Sequence, residues 1–465
     1  MCHIGLLVFN HKSNDMKKIL HIRERDILTF AHNSFRVPIS WIQMLVITVL
    51  FTFLLPGLAK AVPSYARQTG MSCTACHYSF PELNAFGRQF KMNGYTLTFI
   101  KTIEAKEDST KAPRLNLLSY LPLSAMVQTS FTQLASDVKG VQNHTVAFPQ
   151  QLSLFFSGEV TPHLGTFIQM TYDGQSFGMD NADIRLTNTG PLGKGTITYG
   201  LTLNNNPAVQ DVWNTSPAWR FPSATSAAAV NPAKSALIES LGMQVAGLGA
   251  YALVNNWLFG ELTLYRSAQQ GAANPSDTSS FMAIKGLSPY WRLAIQHQFD
   301  NSYMELGTFG MRSRHFIQGI AGDMDNFTDI GFDFQYERTM PFGSLTLHSS
   351  LITETENRNT ISNPTKLNFN TFKIDGNMYL KNGFGATVGY FTKSGTADPF
   401  VGSLTEKPDS RGMIFQLEYL PWFNTKLSLQ YIVYNKFDGS KKNYDGIGRN
   451  ANANNTLYIL AWINF

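Results

Sequence analysis

Cysteine is nearly absent from this chain. There are three in 465 residues, and one of them, Cys2, falls in a stretch expected to be removed. Cys73 and Cys76 therefore have no further sulfur to bridge to and no second C-x-x-C to complete a zinc site. Charge is also scarce. Asp, Glu, Lys and Arg make up 15% of the residues, against about a quarter in soluble domains. Most of the formal net charge of +5 comes from residues 1–61, where seven Lys/Arg against three Asp/Glu give +4. The remainder is near neutral, so no nucleic-acid partner is expected.

The longest apolar run, Trp41 to Leu58, has Pro56-Gly57 near its end and is followed by the small-x-small triplet Ala59-Lys60-Ala61. That order predicts a signal peptide cleaved before Val62, and hence export. A transmembrane anchor would call for a longer run without a cleavage-like end. The roughly forty residues upstream are long for a signal n-region. An overcalled start codon, with Met16-Lys17-Lys18 as one candidate true start, accounts for them.

The two cysteines stand in Cys73-Thr74-Ala75-Cys76-His77, a C-x-x-C-H run. This is the attachment pattern of a c-type haem: the thiols add across the vinyl groups and the histidine faces the iron as axial ligand. A thioredoxin-type pair would need a βαβ context, which the flanking sequence lacks. A bare Cys73–Cys76 disulfide would leave His77 without a role. One covalently bound c-type haem is the expected cofactor.

From about Pro122 to Phe465 the pattern becomes strict alternation. Leu457, Ile459, Ala461, Ile463 and Phe465 share one face, with Thr456, Tyr458, Leu460, Trp462 and Asn464 on the other. Ile330, Phe332, Phe334 and Tyr336 likewise oppose Asp329, Asp333, Gln335 and Glu337. Half-buried strands of a soluble sandwich alternate too, but these segments run to about ten residues or more, as tilted membrane-spanning strands do. About sixteen segments can be counted, the first near Leu123 and the last near Thr456, with others near Leu152, Gly195, Leu241 and Phe384; bacterial barrels have even strand numbers. The expected fold is an all-β transmembrane barrel of about sixteen antiparallel strands, with a short, partly helical haem domain plugging its lumen. The expected division is 1–61 leader, 62–115 haem plug and 116–465 barrel, placed in the bacterial outer membrane in contact with its lipid.

The haem segment has one small apolar set, Tyr65, Phe80, Leu83, Phe86, Phe90 and Tyr95. About fifty residues rarely build an independent core, so packing into the barrel would supply the missing wall. A helix is expected within Pro81 to Lys91. Tyr65 to His77 together with Pro81 to Lys91 resembles the fused monohaem cytochrome–porin family, whose best-known members are outer-membrane iron oxidases. The resemblance is specific over about thirty residues, with Arg67, Gly70, Pro81, Gly87, Arg88 and Lys91 as motif positions, and is one of architecture over the barrel. It implies an Fe(II):cytochrome c oxidoreductase that takes electrons from an extracellular donor such as Fe(II) and passes them to a periplasmic c-type cytochrome or other carrier. One departure is the spacer Tyr78-Ser79-Phe80, which is shorter than that of iron-oxidising members and lacks their histidine.

Met71, Met92 and the inward-facing His348 are candidates for the second axial ligand, which sets the haem potential. Arg67 and Arg88 are candidates for haem-propionate contacts. The stretch Asn204 to Trp219, continuing through Ser223 to Ala236, is too long for a plain turn and carries two tryptophans. It is expected either to fold in against the lumen or haem, or to anchor at the membrane interface. The alternative function is a diffusion porin whose haem plug gates or senses redox state.

Overall fold

The computed structural model describes residues 63–97, 121–268, 282–317, 323–359 and 365–465, with a two-residue pairing of Ile103–Glu104 and Asn116–Leu117. The expected leader, its cleavage site and the candidate start at Met16 lie outside the described residues.

The alternating segments form one antiparallel sheet in which each strand pairs with its neighbours in sequence. Its strands are β1 (Leu123–Leu134), β2 (Thr145–Thr161), β3 (Leu164–Tyr172), β4 (Phe177–Leu192), β5 (Gly195–Asn204), β6 (Val245–Val254), β7 (Leu258–Ser267) and β8 (Ser288–Gln298). They continue with β9 (Ser302–Ile317), β10 (Asp325–Met340), β11 (Gly343–Arg358), β12 (Thr365–Leu380), β13 (Phe384–Gly395), β14 (Ser410–Trp422), β15 (Thr425–Lys436) and β16 (Thr456–Asn464). Met282–Ile284 prolongs the β8 line on β9. The sheet closes where β16 pairs with β1, from Thr456↔Leu134 to Asn464↔Met126. The result is a sixteen-stranded barrel with no open edge.

Closure sorts the side chains. Along β11, Thr346, His348, Ser350, Glu354 and Glu356 point inward and are buried, while Leu351 points outward. Outward-facing Leu293 and Phe332 are 54% and 56% exposed. An apolar exterior around a polar interior is the architecture of a bacterial outer-membrane barrel. The connections alternate as well: β2–β3, β4–β5 and β10–β11 are joined by turns of two residues, whereas β5–β6 spans Asn205 to Gln244 at the opposite end. In such barrels the short turns face the periplasm.

Two of the strand starts named above move. β2 begins at Thr145 rather than Leu152, because a bulge opposite Gln128 and Ser130 carries the ladder past Pro149. β6 begins at Val245 rather than Leu241. Leu241 is instead the C-cap of a four-residue helix, α3 (Leu237–Ser240), and is fully buried inside the barrel, which is why it reads as apolar. The helix expected within Pro81 to Lys91 is α2 (Ala85–Met92). It starts late because Asn84 caps it, accepting from Gly87 N at 3.1 Å, and because Leu83 is held in a bridge with His77.

Phe332→Arg places a charge near the middle of β10 on the lipid face. It is expected to cost about 2–4 kcal/mol of folding stability, read as a lower urea midpoint in lipid vesicles.

Candidate cofactor site

The site is built on a tight turn. Helix α1 (Ser64–Thr69) ends at Gly70, whose φ of +68° lets the chain reverse. A single helical turn over Cys73–Ala75 follows, with Cys76 N and His77 N both donating to Cys73 O, at 3.1 and 3.0 Å. This turn brings Cys73, Cys76 and His77 onto one cavity of about 450 Å³, within the range of cofactor sites. Tyr65, Phe90, Phe167 and Trp219 line its apolar walls.

The His77 ring is oriented. Its Nδ1 lies 3.2 Å from Pro81 O and 3.3 Å from Glu82 O. Carbonyls only accept, so Nδ1 carries the proton and Nε2 keeps its lone pair, the arrangement of a metal-ligating histidine with its supporting hydrogen bond. Enclosure pushes the imidazolium down to about 4, so the ring is neutral. Burial raises both thiols, Cys76 to about 11. A low-pKa redox pair would show the opposite shift. Both thiols are free of disulfide, and with the neutral imidazole they are the donor set a c-type haem requires.

The barrel wall clamps this segment. Arg88 and Tyr78 share Glu337, with Arg88 Nη2 and Tyr78 Oη each 3.0 Å from Oε2. Tyr379 Oη donates to Glu82 at 2.6 Å, Tyr95 Oη to Asp183 at 2.6 Å and Tyr251 Oη to Met92 O at 2.9 Å. Two glycines permit the close approach. A Cβ on Gly87 would lie 2.1 Å from Cys76 O, and one on Gly165 would lie 2.0 Å from Gly94 O.

Residues Asn205 to Gln244 fold into the lumen as a strap. Trp213 is fully buried, and its Nε1 donates to Tyr303 Oη at 2.7 Å. Asn214 Oδ1 accepts from Leu83 N at 3.0 Å, directly behind the His77 bridge. The far end of the strap is held by Lys234, which pairs with Glu356 and Asp398 at 3.0 and 2.9 Å, and by α3, whose Ile238 N donates to Asp329 at 2.8 Å. These tryptophans pack inward, so the interfacial-anchor reading does not hold.

Of the expected ligand candidates, only Met71 lines the cavity with His77. Met92 packs with Val212, Trp213 and Tyr251 instead. His348 faces inward as expected but sits off the cavity. Its Nδ1 is 3.0 Å from Asp375 and its Nε2 3.3 Å from Gln335, so both nitrogens are engaged. Arg67 donates to the carbonyls of Leu121 and Leu123 at the start of β1, and Arg88 is committed to Glu337. The cations that line the cavity are Lys91 and Arg220. Met126 also lines it, and its inward position follows from the β1 alternation. The lumen carboxylates are likewise bonded: Asp333 accepts from Arg292 and Thr215.

Several solved outer-membrane proteins are similar to the chain. The anion-selective porin from Comamonas acidovorans shares 11% identity and a TM-score of 0.47, covering 74% of this chain and 98% of that one. A loop-deletion mutant of OmpT from Vibrio cholerae shares 11% identity and a TM-score of 0.43, with 74% and 98% covered. Salmonella typhi OmpF in complex with daunomycin shares 12% identity and a TM-score of 0.44, with 74% and 97% covered. No protein-family model and no curated protein matches the chain.

Gly87→Ala forces α2 away from Cys76 and strains the turn. A loss of about 1–3 kcal/mol is expected, read as earlier proteolytic release of the 63–97 segment from an intact barrel.

Proposed function

We propose that this chain is an outer-membrane barrel whose N-terminal segment carries one covalent c-type haem, and that it transfers electrons from an extracellular donor, Fe(II) being the first to test, to a periplasmic carrier. The observation that carries this reading is the convergence of Cys73, Cys76 and a neutral, oriented His77 on one apolar cavity. A haem bound there supplies a one-electron redox centre. Cys73 and Cys76 would hold it, His77 would offer Nε2 to its iron, and Phe90, Phe167 and Trp219 would shield it from water.

The partners of the segment lie toward the short-turn end of the barrel: Glu337 near the close of β10, Tyr379 near the close of β12 and Trp462 near the close of β16. A periplasmic carrier would approach from that side. The strap enters from the opposite end and stands between the cavity and the outside.

A second reading, a diffusion porin whose haem plug gates or senses redox state, is favoured by the sixteen-strand closure, because porin barrels of that size enclose an aqueous channel. The filled lumen favours the first, since Asp329, Asp333, Gln335 and Glu337 along β10 are each at most 4% exposed.

The test is an anaerobic absorbance titration of the oxidised, detergent-solubilised protein with Fe(II), paired with planar-bilayer conductance. Reduced c-type bands with low conductance are expected. Bands that respond to dithionite but not to Fe(II) would reject iron as donor. Porin-like conductance without c-type bands would leave the channel.

A further inference from the structure

Lys91 is a buried cation that forms no ion pair with a carboxylate among the described residues. It is 6% exposed, and its Nζ donates to Val209 O and Asp211 O, both at 2.7 Å and both on the strap. It stands 4.4 Å from the centre of the Trp219 ring. Among the described residues no carboxylate pairs with it, although Asp183 and Asp211 are close enough to act at longer range. Burial and the nearby Arg185 push its ammonium down to about 7. An ammonium has three donors, so one remains, and Lys91 lines the cavity onto which Cys73, Cys76 and His77 converge. An enclosed charge without a counter-ion is costly, and an anion in that cavity would offset the cost.

The second cation on the cavity is Arg220, 9% exposed, which donates to Ser350 Oγ at 3.3 Å and pairs with Glu239. It belongs to the strap, as do the two carbonyls that orient Lys91. A c-type haem carries two propionates, each a carboxylate that must be neutralised when taken out of water.

We propose that Lys91 and Arg220 are the propionate-binding residues of this chain, so that the haem turns its anionic edge toward the strap. This rests on the covalent-haem reading above. The strap then has an electrostatic role as well as a steric one, because its carbonyls hold Lys91 in place. A cation beside the propionates favours the reduced haem, which carries one positive charge less, and so raises the potential.

The experiment uses the full-length protein produced with haem-attachment machinery. Covalent haem is stained on denaturing gels, and redox titrations are run on wild type, Lys91→Met, Lys91→Arg and Arg220→Gln. Covalent haem is expected in all four. The midpoint potential is expected to fall in Lys91→Met and Arg220→Gln and to return toward the wild-type value in Lys91→Arg, with the haem bands unmoved. A wild-type potential in Lys91→Met with haem attached overturns the proposal. So does a fall that Lys91→Arg fails to reverse, which marks a merely structural role. Where Lys91→Met gives no folded barrel, Arg220→Gln decides: a lower potential supports the assignment and an unchanged one overturns it. Wild type without covalent haem fails the functional reading instead, and the gel separates the two failures.

Discussion

A ring of sixteen strands encloses more space than its own inward side chains can fill, and the fold depends on how that space is occupied. The inner wall is polar, and every group on it that leaves water needs a partner. Two segments meet part of that demand from opposite ends. The 63–97 segment brings Arg88 and Tyr78 to Glu337, and Tyr95 to Asp183. The strap brings Thr215 to Asp333 and the backbone of α3 to Asp329 and Glu354. Between them, where the facing groups are largely aromatic, lies the apolar cavity.

The orientation of His77 is tied to this wall. Glu82 presents its carbonyl to the His77 ring, while its carboxylate accepts from Tyr379 Oη. Phe80, three residues after His77, sits edge-on to Trp462 at 5.2 Å, and its carbonyl accepts from Lys426. Asn214 supports the same turn from the strap. Four parts of the chain far apart in sequence therefore fix one imidazole, and none of them could be connected with it by local pattern.

The barrel could be read from the sequence because the contrast between lipid and lumen imposes a period of two on every strand. Its count, its closure-compatible parity and the inward placing of His348 follow from that single rule. Cys73, Cys76 and His77 could be picked out as a group because a C-x-x-C-H pattern is local in sequence, and the structure brings the three onto one cavity. The rest of the site could not. Arg67 and Arg88 lie beside the motif in sequence, but the carbonyls at the start of β1 and Glu337 on β10 claim them. Lys91 and Arg220 reach the cavity because a helix turn and an inward-folded connection carry them there. Met126 had a local signal in the β1 alternation, but nothing in sequence ties a strand position to a cavity 50 residues upstream. Proximity in sequence is a poor guide inside a barrel, where neighbours are set by register.

The closure of β16 on β1 bears on the order in which this protein can be made. Cys73 and Cys76 face a cavity inside the ring, with the strap packed behind their turn. On the haem reading proposed above, an attachment enzyme of ordinary size would have to reach those half-buried thiols past the barrel wall and the strap. Under that reading, ligation would come while the strands are still apart, and the barrel would fold around the finished prosthetic group. The pairing of the last strand with the first would then be a point of commitment for a chain that carries such a group.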